Sequence, residues 1–268
     1  MEFTEDQHRV WRTLFERQVP NIRKFACREY LEGFDILRLP GDRLPSLEEL
    51  NAAITPRTGW RLRRTSVRYS DAVPWYRHFA RRIFLITGYM RAWEVLDFTP
   101  EPDMFHDIFG HLPFMVLPRY TSLQDMFAIP FLRASPERRE EIKRVAWFST
   151  EFGLIRENGE LKILGAGILS SVGEIQHVMA GNTPILPFSI ENVITFTKAI
   201  YSYNEVLFAV DSLEALRAEL QAYFDSIPAV NAINEDELPD VGDEVLEDWE
   251  LADLARARGR TEEGRGPG

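Results

Sequence analysis

Residues 98–115 constrain this chain more than any other segment, because they place two of its five histidines, His106 and His111, in a largely apolar stretch. A carboxylate follows at Glu151, within the sequence Trp-Phe-Ser-Thr-Glu-Phe-Gly-Leu. Two imidazoles and one carboxylate can occupy three corners of an octahedral metal ion and leave three open. This is the ligand set of non-haem Fe(II) oxygenases. The three residues therefore form a candidate metal site.

The spacing of the two histidines leaves alternatives open. His106 and His111 are five residues apart, a rotation of roughly 140° on a regular helix, so they would not share one face. Gly110 and Pro113 flank His111 and favour a helix end or an irregular turn, which would bring both rings to one metal. From spacing alone, the histidines could also be core residues, and Glu151 could be a buried carboxylate paired with an arginine.

The composition limits the partners and the location of the protein. The 268 residues suit one large domain or two small ones, and 45% of them are hydrophobic. The formal net charge of −11 is opposite in sign to that of a typical duplex-binding protein, so we expect no nucleic acid partner. We see neither a signal peptide nor an apolar run of membrane-spanning length. Together with the single cysteine, Cys27, these features predict a cytoplasmic protein that meets small molecules in solution.

Local signals predict a mainly α-helical chain with short β-hairpins. Capping residues followed by helical patterns predict several helix starts; these residues are Thr4, Ser46, Asp71, Ser135 and Ser212. Pro20 and Pro130 are predicted to interrupt helices, whereas the helix after Asp71 is predicted to carry Trp75, Phe79, Ile83 and Ile86 on one side. The Asn158-Gly159 pair predicts a hairpin turn.

The domain organisation follows from a change in composition near residue 234. Residues 1–233 have the alternation of apolar and polar positions that is typical of a folded domain. Acidic residues crowd residues 234–268, which end in a run of Gly, Arg and Glu. We therefore predict a catalytic domain over 1–233 and an acidic, disordered C-terminal tail over 234–268.

Three motifs in order resemble the catalytic domain of the pterin-dependent aromatic amino acid hydroxylases, most closely the short bacterial phenylalanine hydroxylases. The motifs are Thr-Pro-Glu-Pro-Asp-Met-Phe-His-Asp-Ile-Phe-Gly-His-Leu-Pro at 99–113, Trp-Phe-Ser-Thr-Glu-Phe-Gly-Leu-Ile at 147–155 and Gly-Ala-Gly-Ile-Leu-Ser-Ser-Val-Gly-Glu at 165–174. The resemblance extends over roughly residues 44–228. It implies a helical basket around a non-haem iron site, with iron held by His106, His111 and Glu151.

The resemblance also assigns residues to the substrate. Arg91 stands where the family places the arginine that binds the α-carboxylate of the amino acid, a bidentate task that suits a guanidinium group. Thr99 and Ser170 match positions near the amino-acid end of the substrate and near His106, and Trp147 matches an aromatic residue of the substrate pocket. From the residue alone, Arg91 could instead form a surface ion pair.

The implied cofactors are Fe(II), a tetrahydropterin cosubstrate and O₂, which together would hydroxylate an aromatic ring. Trp75 matches the aromatic residue that stacks on the pterin, where Phe is usual, although core packing is an alternative role. Asp107, beside His106, is expected to orient a water molecule or the cofactor near the metal.

Departures from the family pattern affect the substrate more than the reaction class. Ala146 and Leu164 stand where aromatic residues are common, and their smaller side chains could admit a larger ring or rotate the bound one. Trp147 and the apolar Ile200 favour phenylalanine. The leading hypothesis is therefore conversion of phenylalanine to tyrosine. The alternatives are meta-hydroxylation, tryptophan as the substrate, a zinc hydrolase and a metal-free scaffold.

The resemblance also bears on assembly. Within residues 1–268 we find neither the regulatory domain nor the C-terminal tetramerising helix that longer family members carry. We therefore expect a monomer or a weak dimer.

Overall fold

Helices make up most of the regular structure in the computed structural model, which describes residues 3–68, 70–96, 102–199 and 202–239. In chain order the α-helices are α1 (Glu5–Phe25), α2 (Arg28–Leu37), α3 (Leu47–Thr58), α4 (Ala72–Phe79), α5 (Leu112–Met115), α6 (Pro118–Arg133), α7 (Pro136–Ala146), α8 (Ala166–Leu169), α9 (Val172–Met179), α10 (Ile190–Val193) and α11 (Leu213–Ser226). Two π-helical segments span His106–His111 and Trp147–Glu151, and 3₁₀ turns span Trp93–Val95 and Glu235–Glu237.

The predicted helix starts are confirmed at the level of their hydrogen bonds. Thr4 and Ser46 each form a reciprocal capping box with the third helical residue, Gln7 and Glu49. The side chains of the other predicted caps also accept from backbone N–H groups at the helix starts; these caps are Asp71, Ser135 and Ser212. Helix starts depend on local hydrogen bonds, which explains why the sequence identifies them.

The two prolines do not break their helices, which corrects the prediction. Helix α1 continues through Pro20 to Phe25, and helix α6 continues through Pro130 to Arg133. A proline inside a helix removes one hydrogen bond and costs about 3 kcal/mol. In α1, side chains on both sides of Pro20, including Leu14 and Ile22, are buried along one face. Burying those side chains offsets the lost hydrogen bond, since each contributes about 1.5–3 kcal/mol.

The helix after Asp71 is shorter than predicted. It ends at Phe79, and Ile83 and Ile86 belong to a strand, β2 (Ile83–Thr87), in which all five residues are buried. Arg82 takes a left-handed conformation with a φ of 54° at this change of direction. Strand β2 pairs in parallel with β1 (Arg61–Thr65). A continuous apolar run is typical of a parallel strand that is covered on both faces, and periodicity alone cannot distinguish it from a buried helix.

A second sheet has four strands in the order β4-β3-β6-β5. They are β3 (Leu154–Glu157), β4 (Glu160–Ile163), β5 (Ile185–Pro187) and β6 (Leu207–Val210). The predicted hairpin is confirmed as β3–β4, with Asn158 and Gly159 at positive φ in its turn. The β3–β6 and β5–β6 pairs are parallel, and the sequence did not predict them.

The helices surround a large aromatic core. Among the described residues, its largest fully buried side chains are Trp11, Tyr30, Trp60, Phe84, Phe105, Phe109, Phe114, Tyr120, Phe127, Phe131, Phe148 and Phe208. No helix within these described ranges is long and apolar enough to cross a membrane. The prediction of a mainly helical fold with the metal-site residues at its centre is confirmed.

The first residues of the predicted acidic tail contact the folded domain. Glu235 and Glu237 form ion pairs with Arg81 and Arg77, at 3.3 Å and 3.0 Å. Residues 240–268 lie outside the described part of the chain. The predicted domain boundary at residue 233 therefore stays a prediction.

Candidate metal centre and active-site cavity

His106, His111 and Glu151 converge on one point, as the sequence predicted. The two Nε2 atoms are 3.1 Å apart, and His111 Nε2 lies 3.1 Å from Glu151 Oε1. His106 Nε2 lies 3.6 Å from Glu151 Oε2. One donor atom from each residue lies within 4.8 Å of the others. Three mutually close donors on one side leave the other side free for additional ligands.

The π-helical geometry explains how two histidines five residues apart reach one site. In a π-helix the backbone N–H group of residue i+5 donates to the carbonyl of residue i, which brings positions i and i+5 close to one face. His106 and His111 are the first and last residues of such a segment, and Glu151 ends the other one. All three donors therefore depend on π-helical backbone, which is rare and is concentrated at functional sites.

Neighbouring helices hold the first π-helical segment in place. The Tyr30 hydroxyl of α2 donates to the Phe109 carbonyl at 2.6 Å, inside the buried core. On the other side, helix α8 packs so closely that a Cβ on Gly110 would lie 2.7 Å from the Ala166 carbonyl oxygen. Glycine at 110 thus allows the two segments to make contact directly beside His111.

Burial and mutual charge set the protonation of the three donors. Burial lowers the pKa of His106 to about 4. Burial opposes protonation of His111 too, but the Glu151 carboxylate outweighs it and raises the pKa of His111. The histidines in turn outweigh burial at Glu151 and lower its pKa to about 2. A carboxylate beside two imidazole nitrogens that face each other is a donor set that fits a divalent cation. Metal binding requires the deprotonated form of each donor, so a metal ion competes with the proton that Glu151 favours on His111.

Ser170 fixes the orientation of His106. Its Oγ lies 2.9 Å from His106 Nδ1, on the side of the ring away from the other donors. When Nε2 is the ligand atom, the Nδ1–H group donates to Ser170. The sequence prediction placed Ser170 near His106, and the structure brings the two side chains together.

Arg91 forms a buried ion pair rather than a surface one. Its Nε and Nη2 atoms donate to Asp103 Oδ2 and Oδ1 at 2.7 Å and 2.9 Å, and its Nη1 donates to the Leu96 carbonyl at 3.1 Å. Asp103 Oδ1 also accepts from the His106 backbone N–H at 3.0 Å. The sequence prediction missed this role of Asp103, although the residue lies within the motif that contains His106.

A cavity of about 340 Å³ contains the three donors, a size suited to small-molecule ligands. The other predicted site residues that line it are Trp75, Arg91, Asp107, Trp147 and Ser170. Thr99 and Ile200 lie outside the described residues, so their predicted roles stay predictions. Ala146 also lines the cavity. Leu164 is only 1% exposed and packs in the hydrophobic core.

Neighbouring side chains pack against the two cavity tryptophans and fix their positions. The centroid of the Trp75 ring lies 4.9 Å from that of the Phe79 ring and 5.2 Å from that of the Phe84 ring. The Trp147 indole N–H donates to Asn204 Oδ1 at 2.9 Å, and its ring lies 4.5 Å from Phe152. Each tryptophan thus combines core packing with a surface on the cavity.

Asp107 is bound to the end of strand β2. It accepts a hydrogen bond from the Thr87 backbone N–H at 2.8 Å. Burial raises the pKa of this carboxyl to about 7. The Thr87 N–H group opposes this shift by stabilising the charged carboxylate.

Five charged residues of the cavity wall were not predicted as site residues: Arg68, Asp71, Lys143, Glu174 and Lys198. Glu174 ends one of the three motifs, which could have drawn attention to it. Lys143 and Lys198 follow no recognisable pattern in the sequence. Only the tertiary structure brings them to the cavity.

A helical fold with two histidines and one carboxylate at a cavity defines a non-haem metal site of the oxygenase type. The chain also matches the family model of biopterin-dependent aromatic amino acid hydroxylases over residues 1–250. The chain belongs to this family. Membership confirms the predicted enzyme class, a pterin-dependent aromatic amino acid monooxygenase, over the zinc hydrolase and the metal-free scaffold.

Several known relatives are similar over most of this chain. Phenylalanine-4-hydroxylase of Mesorhizobium japonicum is 34% identical over 234 residues, which are 85% of this chain and 84% of the relative. Tryptophan 5-hydroxylase of Xenopus laevis is 30% identical and covers 85% of this chain, but the match spans 48% of that protein. Among solved structures, Chromobacterium violaceum phenylalanine hydroxylase with bound iron(III) and 7,8-dihydrobiopterin has a TM-score of 0.78 and 28% identity. That match covers 87% of this chain and 88% of the other.

Proposed function

We propose that this protein hydroxylates the ring of phenylalanine to give tyrosine, with Fe(II) held by His106, His111 and Glu151 and with a tetrahydropterin as the cosubstrate. The observation that carries the proposal is the convergence of these three donors in a cavity that Arg91 also lines. The iron and pterin in the solved relative support the same assignment.

The protein residues bind and orient the reactants in this proposal. Bound Fe(II) and tetrahydropterin supply the activation of O₂. Arg91 binds the α-carboxylate of the amino acid, and Asp103 holds the guanidinium group in one orientation through two hydrogen bonds. Ser170 holds the His106 ring so that Nε2 faces the metal position.

Aromatic residues on the cavity wall complete the proposed binding site. Trp147 packs against the substrate ring, and Trp75 provides a surface for the pterin. Thr99 is assigned to the amino-acid end of the substrate by its motif alone. Asp107 orients the cofactor from its position beside His106. These aromatic side chains also exclude water from the space that they cover, which protects the reactive site.

Phenylalanine is preferred as the substrate because Trp147 occupies the pocket and reduces the space for an indole ring. Meta-hydroxylation is the second candidate. Ala146 on the cavity wall favours it, because a methyl group there leaves room for the bound ring to rotate. A monomeric or weakly dimeric state and a cytoplasmic location remain part of the proposal.

Product analysis tests the proposal. Purified protein loaded with Fe(II) is incubated with a tetrahydropterin, O₂ and, separately, phenylalanine, tyrosine and tryptophan. We expect para-tyrosine from phenylalanine, formed in step with pterin oxidation and lost in the His111→Ala variant. Meta-tyrosine would support the second candidate. Turnover of tryptophan alone, or equal activity with zinc and no pterin, would overturn the proposal.

A further inference from the structure

Lys198 is a charged residue of the cavity wall that the proposed function does not use. It lines the same cavity as the metal-site residues and is half-buried. Its Nζ lies 5.8 Å from the centre of the Trp147 ring. Within the residues that the structure describes, Lys198 has neither an ion pair with a carboxylate nor a hydrogen bond.

Three other cations line this wall. Arg68 stacks on the Tyr89 ring at 4.0 Å. Arg91 is paired with the buried Asp103. Lys143 lies on α7 and forms an ion pair with Glu140 on the same helix. Among the described residues, no carboxylate forms an ion pair with Lys198, in contrast to Arg91 and Lys143.

The partly buried position of Lys198 disfavours its positive charge. Burial is the main cause that lowers the pKa of Lys198 to about 8; Lys143 and Arg144 lower the pKa further, whereas Glu140 raises it. With a pKa near 8, roughly nine-tenths of the side chains still carry the charge at pH 7. A partly desolvated cation without a partner is unfavourable, and an anion from a ligand would remove this penalty.

We propose that Lys198 binds an anionic group, a carboxylate or a phosphate, on a ligand that enters this cavity. Because Arg91 is assigned to the α-carboxylate, Lys198 serves a second anionic group. That group belongs either to the side chain of the pterin or to the far end of the amino acid, and here the inference rests on the proposed function. Ala146 lines the same cavity, and its small side chain leaves more room for a ligand than a larger one would.

The test compares matched ligands with and without the negative charge. Equilibrium binding to the Fe(II)-loaded protein is measured by titration calorimetry without O₂. One pair is dihydroneopterin and its monophosphate, and the other is phenylalanine and 4-carboxyphenylalanine. We expect the charged member of one pair to bind about tenfold more tightly than its neutral partner, as for a charge-assisted hydrogen bond. The pair that shows the difference identifies the source of the anion.

Variants assign the difference to Lys198. Lys198→Gln should abolish the preference for the charged ligand, and Lys198→Arg should retain most of it. Lys24→Gln removes one positive charge from the exposed surface of α1 and should leave the preference unchanged. Equal binding of both members in both pairs would overturn the proposal, as would a preference that persists in Lys198→Gln.

The calorimetric readout separates this inference from the proposed function. If the unaltered protein fails to hydroxylate phenylalanine, the proposed function is wrong, but the binding preference can still be measured. If phenylalanine is hydroxylated and no charged ligand is preferred, only the assignment of Lys198 is wrong.

Discussion

Arg91 and Asp103 form a buried two-point ion pair in which both carboxylate oxygens accept from the guanidinium group, at 2.7 Å and 2.9 Å. The two side chains are 4% and 0% exposed. The same aspartate accepts from the His106 backbone at 3.0 Å. One carboxylate therefore links the proposed substrate-binding arginine to the segment that carries two metal-site residues.

Removing this carboxylate should impair both binding and stability. We expect Asp103→Asn to raise KM for the amino acid at least about tenfold and to lower the free energy of unfolding by about 3–5 kcal/mol, because it leaves Arg91 buried without its counterion. Steady-state kinetics and urea unfolding measure the two effects. The control is Asp125→Asn in the exposed Arg82–Asp125 pair, which should cost less than about 1 kcal/mol. Equal effects in both variants would contradict this role of Asp103.

The Ser170–His106 contact predicts a selective loss of metal affinity. Ser170→Ala removes the partner of Nδ1 and frees the imidazole ring to rotate, so we expect Fe(II) to bind about 10–100-fold more weakly. Fe(II) titration measures the dissociation constant, and urea unfolding of the metal-free protein should change little. Ser226→Ala is the control, because it removes a serine hydroxyl at the end of α11 that donates to the Tyr223 carbonyl and does not line the cavity. Unchanged iron affinity in Ser170→Ala would exclude a positioning role.

Gly110 should tolerate no side chain. In Gly110→Ala the new Cβ would lie 2.7 Å from the Ala166 carbonyl oxygen, so one of the two segments must move. We expect a loss of about 1–3 kcal/mol in the free energy of unfolding together with weaker Fe(II) binding, because His111 follows directly. Gly88→Ala, whose Cβ would meet its nearest atom at 3.4 Å, is the matched control. Wild-type iron affinity in Gly110→Ala would show that the close approach does not position His111.

The burial of Glu174 predicts that the free energy of unfolding depends on pH. Burial raises the pKa of this cavity carboxyl from 4.5 to about 7. The folded protein therefore holds this proton more tightly than the unfolded chain, and the resulting penalty grows as the pH rises from about 4.5 to 7 and is complete above 7.

Replacing Glu174 should relieve that penalty. We expect Glu174→Gln to stabilise the protein by about 1–3 kcal/mol at pH 8 and to have little effect at pH 4.5, allowing for partial solvent screening. Thermal unfolding at both pH values measures the difference, and Glu191→Gln on the exposed surface is the control. Destabilisation at pH 8 would show that the charged carboxylate has a favourable partner.

Local interactions made much of the architecture predictable. The caps at Thr4, Ser46 and Ser135 depend on hydrogen bonds within four residues, and the Asn158-Gly159 turn depends on positive φ angles. The family motifs also indicated His106, His111 and Glu151 before their geometry was known. These features require only the residues themselves and their near neighbours in the chain.

The same local rules failed where packing decides the outcome. Pro20 stays inside α1 because buried side chains on both sides of it hold the helix together. Residues 83–87 form a strand because β1 lies beside them, and an apolar run by itself fits either a helix or a strand.

The features of the candidate site also fall into those that the sequence determines and those that depend on tertiary packing. The sequence by itself determined the residue types of the metal centre and a set of capped helices, because motifs and caps are local patterns. Only the tertiary structure decided that π-helical turns bring His106 and His111 to one side, that Asp103 pairs with Arg91, and that Lys198 reaches the cavity. These relationships depend on contacts between segments that are distant in the chain, and on backbone geometry that local propensity does not favour.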